Sequence, residues 1–191
     1  MLLETPTNNK QPQDWSKDGR FLRYFELDPK TARDLWALEM TANERKPRVV
    51  VNTPFEERNG QFSSDGRWVA YETNESGRFE IVVQPFPAPS GKWQVSTGGG
   101  TQPRWRADGK ELYFIAPDGK LMAAPVTASA LTFEAGTPVA LFPTRIAPVV
   151  GTFRHQYAVS RDGRFLINQA AEESTTTPIT LILNWSGGNS P

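Results

Sequence analysis

Short stretches of alternating apolar and polar residues run along the chain, and four of them begin a few residues after an Asp-Gly pair. When the chain is aligned on Asp18, Asp65, Asp108 and Asp162, the residues four further on are Leu22, Val69, Leu112 and Leu166. Those six further on are Tyr24, Tyr71, Phe114 and Asn168. Side chains two apart in a strand share a face, so this pattern predicts an aliphatic column beside an aromatic one, buried between stacked sheets. Three residues before each Asp stand Trp15, Phe62, Trp105 and Val159. Asp18-Gly19, Asp65-Gly66, Asp108-Gly109 and Asp162-Gly163 predict hairpin turns, because Asp tolerates the bridge region and Gly takes the left-handed position without steric cost. A further hairpin is predicted at Ala116-Pro117-Asp118-Gly119-Lys120.

The strands that follow repeat as well. Third strands are predicted at Leu35–Leu38, Ile81–Gln84, Leu121–Ala124 and Ile179–Ile182, and fourth strands at Arg48–Val51, Trp93–Ser96 and Val139–Phe142. Residues 31 to 44 hold helix-favouring types, but Leu35–Leu38 falls in register with the other third strands, so this segment reads as loop plus strand. The Asp spacings are 47, 43 and 54 residues. All-β units repeating at this period point to propeller blades. The predicted fold class is all-β: a β-propeller or partial propeller of about four blades, each a four-stranded antiparallel sheet. The blades fall at about 12–51, 59–96, 103–142 and 155–185, in a single domain over 1–191. Residues 1–6 supply a stray or ring-closing strand.

Composition narrows the function classes. In 191 residues, 21 Lys and Arg balance 21 Asp and Glu. Zero net charge removes the general electrostatic case for nucleic acid. No cysteine is present, so disulfides and thiolate metal sites are excluded. The apolar runs fall far short of the ~20 residues of a membrane helix, and the first residues have neither the basic segment nor the apolar core of a signal peptide. An open array would expose apolar faces on its end blades, so self-association or a need for further blades is expected.

Candidate chemistry is sparse. One histidine, His155, stands without a Gly-x-Ser-x-Gly elbow, so no serine-hydrolase triad can be assembled. The four repeated aspartates each belong to a separate turn, and equivalent turns are expected to lie apart around a ring. No metal, cofactor or catalytic set is therefore assigned. Arg104 and Arg106 flank Trp105 on an expected innermost strand, where side chains can face a central channel. With His155 they form the candidate ligand contact. The column Arg20, Arg67, Lys110 and Arg164 reads as solvent-exposed or locally paired.

The segment Pro103-Arg104-Trp105-Arg106-Ala107-Asp108-Gly109-Lys110-Glu111-Leu112-Tyr113-Phe114 resembles the Pro-x-Trp-Ser-x-Asp-Gly-Lys-x-Leu-x-Phe blade signature of TolB-like, WD-like β-propellers, and Phe62 to Tyr71 resembles it equally. The stretch from Tyr157 to Ile167, followed by Ile179 to Trp185, resembles the C-terminal propeller of bacterial eukaryotic-like serine/threonine kinases. The kinase's Gly-rich, His-Arg-Asp and Asp-Phe-Gly elements are absent, so that activity does not carry over. The resemblance implies the C-terminal part of a longer propeller, on the extracytoplasmic side if a membrane helix precedes it. It implies a non-catalytic sensor or recognition module that binds a protein, peptide or small ligand. The alternatives are the gating propeller of a prolyl-oligopeptidase-like hydrolase, and a gene fragment without independent function.

Overall fold

The computed structural model describes residues 3, 9–42, 45–129, 132–146 and 154–169, and all regular structure among them is β-strand. The first sheet is β1 (Lys10–Trp15), β2 (Phe21–Asp28), β3 (Ala32–Glu39) and β4 (Pro47–Val51). The second is β5 (Glu57–Phe62), β6 (Trp68–Thr73), β7 (Glu80–Pro85) and β8 (Trp93–Gln94). Both run in simple antiparallel order. The third holds β9 (Thr101–Trp105), β10 (Glu111–Ile115), β11 (Lys120–Ala128), β12 (Phe133–Ala135) and β13 (Val139–Pro143), with β12 and β13 pairing different lengths of the long β11. The fourth comprises β14 (Tyr157–Val159) and β15 (Phe165–Ile167). The segment read as loop plus strand rather than helix is indeed strand from Ala32 to Glu39. The fourth strand expected over Trp93–Ser96 stops at Gln94, because Ser96 turns its hydroxyl in to accept from the Ile81 amide at 2.8 Å. The strand expected at Ile179–Ile182 lies outside the described residues, as does residues 1–6 apart from Leu3.

Successive sheets stack face to face, and strict alternation sends each central strand to two neighbours. Val69 and Tyr71 of β6 pack toward Phe21, Phe25 and Leu35 of the first sheet. Trp68 and Ala70 of the same strand pack toward Leu112 and Phe114 of the third. Tyr113 and Ile115 of β10 face Tyr157, Phe165 and Ile167 of the fourth. Strands buried on both faces carry near-continuous apolar runs. This explains why Trp68-Val69-Ala70-Tyr71 has no polar interruption, with every residue at most 2% exposed.

The column alignment fails in the fourth repeat. In the first three, the amide two before the Asp donates to the carbonyl three after it: Ser16 to Phe21 (2.8 Å), Ser63 to Trp68 (2.8 Å) and Arg106 to Glu111 (2.9 Å). In the fourth, Ser160 donates to Arg164 (2.9 Å), one residue earlier. Trp15, Phe62 and Trp105 accordingly pair with Leu22, Val69 and Leu112, whereas Val159 pairs with Phe165. A slip of one residue exchanges the two faces of a strand. Phe165 and Ile167 therefore turn inward, while Leu166, expected in the aliphatic column, is 77% exposed, and Asn168 leaves the aromatic column for the surface.

Candidate functional site

The innermost strands β1, β5, β9 and β14 stand side by side, each touching the next. Three of them are irregular at matching places. Pairing shifts between Pro12 and Asp14, between Arg58 and Gln61, and opposite Tyr113 and Ile115. Asn59 (φ 48°) and Gln102 (φ 58°), both six residues before their repeat's Asp, take the left-handed region. Such bulges re-aim side chains that a regular ladder would point into the sheet interfaces.

Some of these side chains latch neighbouring sheets. Asp14 Oδ2 accepts from the Phe62 amide at 2.7 Å, and Gln61 Oε1, at the same place one repeat later, accepts from the Trp105 amide at 3.0 Å. Glu72, fully buried in β6, accepts from Arg58 Nε (2.7 Å), Asn59 Nδ2 (2.7 Å) and the Gln102 amide. Burial raises the Glu72 carboxyl above its ordinary range while Arg58 opposes the shift. Tyr157 donates its hydroxyl to the Gln102 carbonyl at 2.8 Å, and a ring nitrogen of His155 meets the Pro103 carbonyl at 3.0 Å.

The next place in that latch series holds Arg104, which cannot accept a hydrogen bond. Its Nε is buried and has no partner among the described residues. Nearby lies Arg23, 0% exposed, on the face of β2 it shares with Phe21 and Phe25. Gln13 Oε1 takes one of its donors at 2.8 Å, and its Nε and Nη2 have no described partner. Gly60 makes room for this guanidinium, since a Cβ there would stand 3.0 Å from Nη1 and 3.1 Å from Cζ. Burial pushes Arg23 down to about 10, with Asp14 opposing the shift and Arg104 adding to it. Burial likewise lowers Arg104 and raises Asp14. His155 is pushed down to about 3 by burial and by Arg104, and is neutral at ordinary pH.

A cleft of ≈ 450 Å³ opens beside Arg104, lined also by His155, Gln156, Tyr157, Ala158, Leu166, Ile167 and Asn168. Arg104 and His155 are thus brought together, and Arg106 is separated from them. Arg106 lies in the turn beyond β9, beside Asp108 and Glu111 at 3.5 and 3.2 Å. With Lys17, Ala107, Asp108 and Arg161 it borders a second cleft, also ≈ 450 Å³. That cleft corrects the expectation that equivalent turns lie apart, because tips from three repeats meet there. The inner strands are close enough together that their connecting turns share one mouth.

The repeated aspartates act locally. Asp18, Asp65 and Asp108 accept from the amides of Arg20 (3.0 Å), Arg67 (3.1 Å) and Lys110 (3.0 Å), and Asp18, Asp65 and Asp162 accept from the Ser hydroxyl two residues before. Gly19, Gly66, Gly109 and Gly163 all have φ between 71° and 83°. Among the described residues no three His, Asp or Glu side chains gather as metal ligands. Inspection of the sequence missed Arg23, Asp14 and Gly60. The signal for Arg23 was present: a lone charge between Phe21 and Phe25 on one strand face. So was that for Gly60, a glycine inside a strand, which marks close approach of another group.

The stacked antiparallel sheets match several solved structures. A putative TolB from Agrobacterium tumefaciens superposes with TM-score 0.54 at 14% identity, covering 71% of this chain and 52% of that one. The fold is a β-propeller. TolB from Acinetobacter baumannii gives 0.52 at 16% identity, covering 80% and 41%. A putative 6-phosphogluconolactonase from Bacteroides uniformis gives 0.54 at 13% identity, covering 84% and 48%. The chain thus spans about half the length of these propellers, and at such identities the likeness is one of fold. No family model and no curated protein sequence matches the chain. No helix among the described residues is long and apolar enough to cross a membrane.

Proposed function

We propose that this chain is a non-catalytic recognition module of propeller type, which binds a protein, peptide or small ligand at the inner-strand cleft. The observation that carries this reading is the cleft itself: an open recess lined by Arg104, His155 and Asn168, where Arg104 Nε has no acceptor among the described residues. Rigid sheets that present polar groups at one end are where propellers place binding groups. The state of His155 supports binding over hydrolysis, since a base pushed down to about 3 is too weak to take a proton near neutrality. Within this reading the four sheets form one propeller unit, part of a longer propeller such as the extracytoplasmic sensor of a bacterial kinase. Self-association through the outer sheets belongs to the same reading, because Trp15, Val49 and Leu166 are 52%, 47% and 77% exposed there.

The test is capture from a lysate of the native organism by immobilised protein, beside a broad hydrolase and lactonase screen. The expected result is one reproducibly retained component, lost with Arg104→Gln, and no turnover. Turnover that follows the protein through purification overturns the reading, as does retention indifferent to the cleft.

A further inference from the structure

The cleft can be assigned a ligand chemistry, an inference that rests on its being a recognition site. Arg104 in its lining lowers the buried Arg23, and among the described residues the two share a single acidic neighbour, Asp14. His155 adds no charge, and the nearby Glu72 is already matched by Arg58. With Asp14 ionised, the described residues of this group carry one net positive charge. Three guanidinium nitrogens, Arg23 Nε, Arg23 Nη2 and Arg104 Nε, find no acceptor among the described residues. Buried donors are seldom left unpaired, and a buried unmatched charge is costlier still. Water could satisfy the hydrogen bonds but not the charge. A dianion such as phosphate would overshoot it and leave the reverse charge buried.

We propose that the site takes a carboxylate, the planar monoanion whose two oxygens match the guanidinium fork. Arg104, at the cleft wall, is the direct contact. Arg23, seated against Gly60 and held by Gln13, is the fixed positive charge behind it. The ligand is then a small carboxylic acid or a peptide bearing a free carboxylate. The flanking faces of Tyr157, Ile167 and Leu166 receive its apolar part.

The experiment is calorimetric titration of the full chain with sodium acetate, its neutral isostere acetamide, and sodium phosphate, at ionic strength matched with sodium chloride. Acetate is expected to bind saturably at one site, with acetamide inert. Losing a charge-assisted hydrogen bond in Arg104→Gln should weaken acetate about ten- to a hundredfold. Arg104→Lys, which keeps the charge and loses the fork, should fall between. Arg106→Gln, at the other cleft, should match the wild type, and far-ultraviolet circular dichroism confirms that each variant is folded. Absence of saturable acetate binding overturns the proposal, as does acetate binding unchanged in folded Arg104→Gln. Phosphate binding in place of acetate overturns the carboxylate assignment. If the captured partner is retained through Arg104 while acetate fails to bind, the carboxylate inference falls and the recognition reading stands. If acetate binds and no partner is captured, the site stands and its role in partner recognition falls.

Discussion

The second and fourth repeats carry nearly the same turn, Ser63-Ser64-Asp65-Gly66-Arg67 and Ser160-Arg161-Asp162-Gly163-Arg164, yet they leave it in opposite phase. In both, a serine hydroxyl donates to the Asp, an amide donates back to that hydroxyl, and glycine takes the left-handed region. In the second repeat the returning donor is Trp68, and in the fourth it is Arg164, one residue sooner. The consequence reaches the whole strand: Val69 is 0% exposed and its aligned counterpart Leu166 is 77% exposed. The turn motif therefore specifies that the chain reverses, but not at which residue pairing resumes. That choice follows from which apolar residues the neighbouring sheet can accept. The third sheet presents Tyr113, whose ring meets Phe165 edge-on at 5.0 Å. The β10–β11 hairpin uses the same shorter closure, from the Ala116 amide to the Lys120 carbonyl, so both closures coexist within one fold.

Opposite phase makes opposite demands on aligned residues. Val69→Asp places a carboxylate between two sheets and should cost more than about 4 kcal/mol, while Leu166→Asp should stay within about 0.5 kcal/mol. Urea unfolding of the two variants compares them directly, and equal losses would return Leu166 to the buried column. Phe114→Ala should cost ~3–5 kcal/mol from a site 2% exposed. Phe165→Ala, removing a partly buried ring between Tyr113 and Phe142, should lose less, about 2 kcal/mol. A larger loss at Phe165 would mean that the fourth hairpin is as tightly packed as the third sheet.

The shared part of the two turns should respond alike. Gly66 and Gly163 have φ of 71° and 83°, and nothing lies within 4 Å of a Cβ at either. Alanine therefore meets backbone strain alone, about 1–2 kcal/mol at each position. Unequal values in thermal unfolding would show that the turns differ beyond where they close.

Acid should separate the repeats most gently. His155, beside β14, has a folded pKa near 3, below its unfolded value of 6.5, so below about pH 6.5 the unfolded chain takes a proton that the folded chain refuses. Its contribution is present above that pH and is lost as pH falls toward 3. Glu57 in the second repeat is pushed up to about 7 by burial, from 4.5. Its folded form takes the proton first, so its contribution is present below about pH 4.5 and is lost as pH rises through 7. Across pH 7 to 5, His155→Gln should gain stability relative to wild type and Glu57→Gln should lose it, as read from unfolding midpoints at each pH. Parallel curves for the two variants would remove the assigned burial of both groups.

Much of this was present in the amino-acid order. Four Asp-Gly turns, a repeat of 43 to 54 residues and aliphatic beside aromatic columns determine an array of antiparallel sheets, because turn chemistry and side-chain alternation are local properties. Arg104 and His155 could be singled out on the same grounds, as polar groups on innermost segments. Tertiary structure alone decided which phase the fourth hairpin takes, since register depends on the neighbouring sheet's apolar face. It alone brought Asp14, Arg23 and Gly60 to the same place as Arg104, from three sheets and up to 90 residues apart. Contacts between inner strands are set by how the sheets stack, and no local spacing along the chain encodes that distance.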